Sequence, residues 1–460
     1  MLEQISLFFT SDLHSHFESW PKAVRFLNGK TEEKKKMNQS YFILDNGDHL
    51  DRVNPITEAT KGKVNVNLLN DANYDVINLG NNEGVTLKQS ELMQLYENAQ
   101  FDVTCANLSS QHHPEWLKSH TIKQTTSGLT IGFIGLTAPF APFYEPLGWS
   151  VSDPLVELEN QLNALPEHVD LVVVLSHLGI DFDEKIADQF EKVDIIIGGH
   201  THHLFQDTHI RNKTLLAAVG KFGRYIGEIQ LKYDHSKSRW LMPESIVSDL
   251  SEFENDQKTE TTLLKAKEEA NHYLSHQVTY LSEPLTIDWY EETPLIKSLT
   301  KTLRKWTGAD ISMLNAGILL DGFDAGVVTE ADIHRNCPHP INPCVVNVTG
   351  REIIEIVRAG MTEEFINLKV KGYGFRGEIM GQLVYDGIEL HFRDQNAEGI
   401  SLDKVTINQQ EISNDQVYKL ATADMFTFGH LSPQISRAVS KQFFMPEFIR
   451  DLLKDTLQTF

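Results

Sequence analysis

One recurring order constrains this chain more than any other feature: a short apolar run, a cluster of Asp, Asn or His, then a stretch with helical apolar spacing. The runs at 5–10, 41–44, 76–79, 131–136, 171–175, 194–197 and 215–219 have the length and composition of strands. Segments 20–27, 91–98, 155–165 and 182–190 place apolar residues at helical spacing between them. Such alternation predicts an α/β architecture of sheets covered by helices, in which ligands gather beyond the carboxyl ends of the strands.

Five of these runs end in elements that carry chemistry. Asp12-Leu13-His14 follows the first, Gly47-Asp48 the second and Gly80-Asn81-Asn82-Glu83 the third, while Ser176-His177 and Gly198-Gly199-His200-Thr201-His202 close two later ones. Singly each is weak, since Gly-Asp is often only a turn. Jointly, five strands deliver Asp, Asn or His to one sheet edge. Alternation in an extended segment sends Asp12 and His14 to the same side with Leu13 in the core, and pairs His200 with His202. His and carboxylate ligands suit zinc, manganese, iron or cobalt, and Asn adds a neutral oxygen. Asp12, His14, Asp48, Asn81, His177, His200 and His202 are too many donors for one zinc-like ion and suit two divalent ions if one carboxylate bridges. Structural zinc sites favour Cys, which this set lacks, so a catalytic centre is the expectation.

The rest of the composition narrows partners. With 460 residues the chain predicts two or three domains. Its 41 Lys and Arg against 64 Asp and Glu give a net charge of −23, which argues against nucleic acid polymers and anionic membranes as partners. A phosphorylated substrate would need local cations to overcome that field. No run approaches the roughly 18 apolar residues of a membrane span, and an acid stands at Glu3 where a secretory signal needs a basic start, so a cytoplasmic location is expected. Cys105, Cys337 and Cys344 are too few for a disulfide framework; the last two are near enough in sequence to pair, but reduced thiols are the expectation.

The pattern changes near Pro243. Residues 1–245 form the expected first domain, 246–282 read as a polar, helical linker without a strand-like run, and 283–460 as a mixed α+β domain. That domain predicts a helix over 294–306, a strand–helix passage over 345–359, strands around 383–392 and 417–423, and a terminal helix from Pro446. Lys34-Lys35-Lys36 reads as a surface loop.

The order and spacing of the five polar elements resemble those of the calcineurin-like metallophosphoesterases and, within them, the 5′-nucleotidase family. The likeness covers most of residues 5–220, including Gly132-Phe133-Ile134-Gly135-Leu136-Thr137; the second half resembles the family's C-terminal domain more loosely, through Asn315-Ala316-Gly317 and Val346-Asn347-Val348-Thr349-Gly350-Arg351-Glu352-Ile353. This resemblance implies a sandwich of two sheets flanked by helices, followed by a mixed α+β substrate-binding domain. It assigns one ion to Asp12, His14, Asp48 and His202 and a second to Asp48, Asn81, His177 and His200, with Asp48 bridging. It further implies hydrolysis of a phosphate monoester, a nucleoside monophosphate or related small phosphometabolite, by a hydroxide shared between the ions, with Asp48, Asn81 and Asn82 at catalytic positions.

Departures from the family pattern are as informative. The family places His after the metal-binding Asn; here that position is Asn82, which donates a hydrogen bond but carries no proton. His16, His49 and His203 stand beside ligand elements as substitutes. Where the family ends its Gly-rich turn in an Arg that grips phosphate, this chain has Leu320; Arg376 and Arg335 are the replacements considered. For the family's aromatic base sandwich, His339 and either Phe426 or Phe428 are the candidates, with Asn315 at the Gly-rich turn. Loss of the Arg keeps a phosphodiesterase acting on cyclic nucleotides or dinucleotides as an alternative, and Asn82 keeps a catalytically silent metal-bound ligand sensor as another.

Overall fold

A computed structural model describes residues 2–394 and 400–460. The chain divides into two compact units, Met1–Ala270 and Asn271–Phe460.

In the first unit two sheets lie face to face. One runs in the order Arg239–Trp240, Tyr225–Asp234, Leu2–Thr10, Ser40–Asp45, Val76–Asn78, Asp102–Thr104, Leu117–Lys118. The other runs His209–Arg211, Thr214–Ala217, Ile195–Gly198, Leu171–His177, Thr130–Thr137, His120–Gln124. Ile5, Leu7, Phe9 and Leu44 of one sheet share a buried core with Phe133, Val173, Leu175 and Ile197 of the other. The alternate residues Ile134, Val172, Val174 and Ile196 face outward under Leu158, Leu162 and Ile186 of the helices Pro154–Ala164 and Ile180–Gln189. This double coverage is why these strands read as unbroken apolar runs.

The central strands of each sheet are parallel, so their carboxyl ends emerge on one side. Two buried amides tie the sheets together there. Asn46 Nδ2 donates to the Ser176 and Ile197 carbonyls, and Asn78 Nδ2 to those of Leu136 and Leu175. The polar elements of both sheets thus converge at one edge.

Two expectations need correction in this unit. Glu244–Asp249, which spans the expected boundary at 245/246 and enters the linker read as strandless, is a strand antiparallel to Tyr225–Asp234. It holds its place through backbone pairing with few apolar side chains, so hydrophobic pattern does not reveal it. Lys34-Lys35-Lys36 are the last turn of the helix Trp20–Lys36, where cations complement the helix dipole and Lys34 Nζ lies 3.0 Å from Glu228. The polar stretch that follows Asp249 forms the helix Gln257–Leu274.

The second unit is built on a mixed five-stranded sheet in the order Leu383–Asp386, Ile311–Asn315, Val417–Ala423, Pro343–Thr349, Lys441–Phe443. Helices Pro294–Thr307, Gly350–Gly360 and Ile449–Leu457 pack on it through Leu299, Leu303, Ile353, Val357, Leu452 and Leu453. Two of these helices open as their sequences dictate: Pro at the first position of one, and a Thr349–Glu352 capping box on another. The cysteines are free and buried. Among the described residues no helix is long and apolar enough to cross a membrane.

Candidate metal centre

The turns that leave the strands carry unusual backbone. Asp12, His14, Asp48, His200 and His202 all have positive φ, between 49° and 68°. Asp and His tolerate this region better than most residues, and its concentration in five of the seven candidate ligands marks a site where local strain is held by its surroundings. The restraint is visible. His14 N–H donates to the Asp48 carbonyl at 2.8 Å and Asp12 N–H to that of Gly47 at 3.0 Å. Buried Glu83 accepts from the N–H groups of Asp48, Leu50 and Gly80, stitching the second and third strand ends together. A side chain at Gly80 would stand 2.1 Å from Asp48 Oδ1, so only glycine permits this approach.

Around that frame the donors converge. His14 Nε2 and His202 Nε2 are 3.1 Å apart, and Asp12 Oδ1 lies 3.8 Å from the first and 3.3 Å from the second. His177 Nε2 lies 3.9 Å from Asp12 Oδ1 and 3.4 Å from Asp48 Oδ2, which is itself 3.7 Å from His14 Nε2. Ligand atoms about 2.1 Å from a common ion are separated by about 3–3.5 Å, so the spacing fits. Asn81 Oδ1 and His200 Nδ1 face each other at 2.8 Å beside His177, whose ring is 5.5 Å from that of His200.

One atom decides what this cluster wants. His177 Nδ1 donates to the Asn46 carbonyl at 2.7 Å, which leaves Nε2 as the free position, and Nε2 is buried without a hydrogen-bond partner. A neutral ring would aim a lone pair at two carboxylates, an arrangement that only a cation resolves. Without a metal that cation is a proton: burial opposes it, but Asp48 and Asp12 outweigh burial and push His177 up to about 10. Asp12 and Asp48, although burial raises them, are held below the usual carboxylate range chiefly by His177. The donor set, its spacing and the orphaned nitrogen fit divalent metal ions.

Comparison with known proteins fixes the family. Residues 5–204 match the calcineurin-like phosphoesterase family and residues 277–432 the 5′-nucleotidase C-terminal domain. The chain is 40% identical over 456 residues to the Bacillus subtilis metallophosphoesterase YunD, covering 98% of this chain and 99% of that protein. The chain belongs to the calcineurin-like phosphoesterases. The phosphoesterase also shares the fold of a Staphylococcus aureus 5′-nucleotidase (TM-score 0.68, 18% identity, 100% and 97% of the two chains). A Haemophilus influenzae NAD nucleotidase is equally similar in fold (TM-score 0.69, 15% identity, 100% and 96%). It is a metal-dependent phosphoesterase with the fold expected from its sequence, two sheets flanked by helices and then a mixed α+β domain.

The phosphoesterase's other candidates fare unevenly. Asn82 sits at the site: its N–H donates to Asp48 Oδ1 at 2.8 Å and its Nδ2 to the Leu50 carbonyl at 3.1 Å. His49 is buried, meets Asn65 through Nδ1 and sets its ring against Trp20, so it does not replace the missing histidine. His203 meets Thr201 and faces Asp183, while His16 bonds Glu18 and stacks on Phe222, whose ring is 6.0 Å from that of His14.

In the second unit, three substrate candidates are buried. His339 is fully buried, with Nε2 donating to the Ile318 carbonyl, Nδ1 accepting from Arg376 N–H, and its ring stacked on Phe375. Phe426 is fully buried in the core, and buried Asn315 donates to the Met380 carbonyl. Aromatic and turn motifs look alike in sequence whether they pack or bind, so the sequence does not separate these cases. Phe428 is half-buried and lies parallel to Tyr373 at 6.0 Å, and Arg376 is exposed on the loop that carries Tyr373. Arg335 pairs with Asp332 on its own helix at 2.9 Å. Asp51 is not singled out by the sequence, since a carboxylate in a loop carries no distinctive signal; Glu83 belongs to the third strand-end element, but its hydrogen bonds to the Asp48, Leu50 and Gly80 N–H groups emerge only in the structure.

Proposed function

We propose that this phosphoesterase hydrolyses a phosphate monoester, a nucleoside monophosphate or a related small phosphometabolite, with two divalent ions. The observation that carries the proposal is the orphaned His177 Nε2 between Asp12 and Asp48, with His14 and His202 completing one side and Asn81 and His200 flanking the other. Asp12, His14 and His202 would hold one ion, and Asn81, His177 and His200 the other, with Asp48 shared. Bound there, such ions lower the pKa of water and neutralise phosphate oxygens, which offsets the acidic field of the protein. The chain's own work is positioning. Asn82 N–H fixes Asp48 Oδ1, which leaves Oδ2 toward His14 and His177. Glu83 locks the loop backbone, and the Asn46 carbonyl sets the tautomer of His177.

Two features support a nucleotide-sized monoester: the match to the 5′-nucleotidase C-terminal domain, and the parallel Tyr373–Phe428 pair beside exposed Arg376. Chromogenic monoester and diester substrates, then a panel of nucleotides, assayed with manganese, cobalt and zinc, test it. Preference for the monoester is the expected result; preference for the diester replaces this reading with a phosphodiesterase, and binding without cleavage across the panel replaces it with a sensor.

Asn82 makes a further prediction. Its amide donates but cannot transfer a proton, and a neutral donor in place of a charged one costs about 1–2 kcal/mol, or about five- to thirtyfold in rate. Asn82→His is expected to raise kcat on nucleoside monophosphates by up to that factor with metal content unchanged; equal or lower turnover in a fully metallated variant refutes it.

A further inference from the structure

The loop that follows Asp48 returns a second carboxylate to the centre. Asp51 is buried, and its Oδ2 lies 3.3 Å from His14 Nδ1, the ring nitrogen opposite the one that faces Asp12, Asp48 and His202. Its placement is over-determined: Asp51 N–H donates to Ser15 Oγ at 2.8 Å, and Asp51 Oδ1 accepts from Val53 N–H at 2.9 Å. Ser15 N–H in turn donates to the His49 carbonyl at 3.0 Å, so the turn carrying His14 and the loop carrying Asp51 move as one.

An imidazole that gives the Nε2 lone pair to a metal keeps its proton on Nδ1, and that N–H needs an acceptor. Asn82 Nδ2 is also 3.1 Å from Nδ1, but an NH2 group only donates, so it offers an Nδ1 proton no acceptor. The acceptor on hand is Asp51. We propose that Asp51 is a positioning residue for metal binding: it holds His14 in the tautomer with the proton on Nδ1 and aims Nε2 at the ion. This rests on the proposed reading of His14 as a ligand.

Asp51→Asn separates this role from a packing role. The amide keeps the size of the side chain and an oxygen for Val53 N–H, but turns an NH2 toward Nδ1, which drives the ring proton to Nε2 and blocks the ligand. Zinc titration of the full chain against a competing chelator should then show one of two ions bound about 10–100-fold more weakly. The other ion should be unaffected, and the chelator-stripped variant should keep the circular dichroism of the stripped wild type. Wild-type affinity for both ions in the variant overturns the proposal, as does an equal weakening of both ions. Should the variant not fold, nitrogen-15 spectra of zinc-loaded wild type decide the matter. A proton on His14 Nδ1 supports it, and a bare Nδ1 overturns it. If wild type binds no zinc at all, it is the metal-centre reading that fails.

Discussion

Asp48→Asn should remove at least about a thousandfold from kcat/KM, about 4 kcal/mol of transition-state stabilisation, and should do so by weakening both ions together. Asp48 Oδ2 lies within 3.4 Å of His177 Nε2 and 3.7 Å of His14 Nε2, so one atom serves both halves of the donor set. The amide still accepts from Asn82 N–H, and the backbone N–H still donates to Glu83, so the loop is kept. What is lost is the negative charge that the proposed two-ion arrangement places between its ions. Asp12→Asn is the contrast: Asp12 Oδ1 lies 3.3 Å from His202 Nε2 and 3.9 Å from His177 Nε2, and the proposed assignment gives it one ion. Metal analysis after gel filtration should show loss of both ions from the Asp48 variant and of chiefly one from the Asp12 variant, with unchanged circular dichroism. Loss of a single ion from the Asp48 variant, or activity within tenfold of wild type, contradicts a shared carboxylate.

What made the centre legible in the sequence is its position at strand ends. Apolar runs buried on both faces announce themselves, and the residue after such a run has a known address. Asp12, His14, Asp48, Asn81, His177, His200 and His202, the proposed ligands, are each singled out this way, and the structure clusters ligand atoms of Asp12, His14, Asp48, His177 and His202. Asp51 escaped the same logic because loop geometry, not strand register, brings it in, and a 3.3 Å contact to His14 Nδ1 has no sequence signature; Glu83 lies in the third strand-end element, but the three backbone N–H groups it accepts from are visible only in the structure. The second unit was harder for a related reason. His339 and Phe426 are as apolar in context as any core residue, and the sequence cannot tell a ring that stacks on Phe375 from one kept open for a ligand. The strand Glu244–Asp249 failed differently: its stability comes from backbone pairing at a sheet edge, and six mostly polar side chains give no alternation to read.

The orphaned nitrogen of His177 implies that metal binding and proton release are one event. Stripped of metal by chelation, the site has Asp48 and Asp12 opposing burial and holding His177 protonated up to about pH 10, while the same carboxylates stay ionised. An incoming ion needs the lone pair that this proton occupies, so at neutral pH at least one proton must leave. The sign follows. Below pH 10 each unit of pH removes a tenfold competition, so apparent affinity should rise at least about a hundredfold between pH 6 and pH 8. His14, raised above its ordinary value despite burial by its contact with Asp51 and by Asp48, adds to the slope in the same direction. For the stripped protein, a raised histidine contributes stability that is complete below its unfolded value of about 6.5 and fades as pH climbs toward about 10. Chelation should therefore destabilise the protein more at pH 9 than at pH 6, because the proton that takes the ion's place on His177 contributes most of its stability at pH 6 and little of it at pH 9. Calorimetric titration with manganese in buffers of different ionisation enthalpy measures the protons released directly. A value near one or above at pH 7 is expected; zero would mean that His177 is already neutral beside two carboxylates, and the electrostatic account of the centre would have to be abandoned.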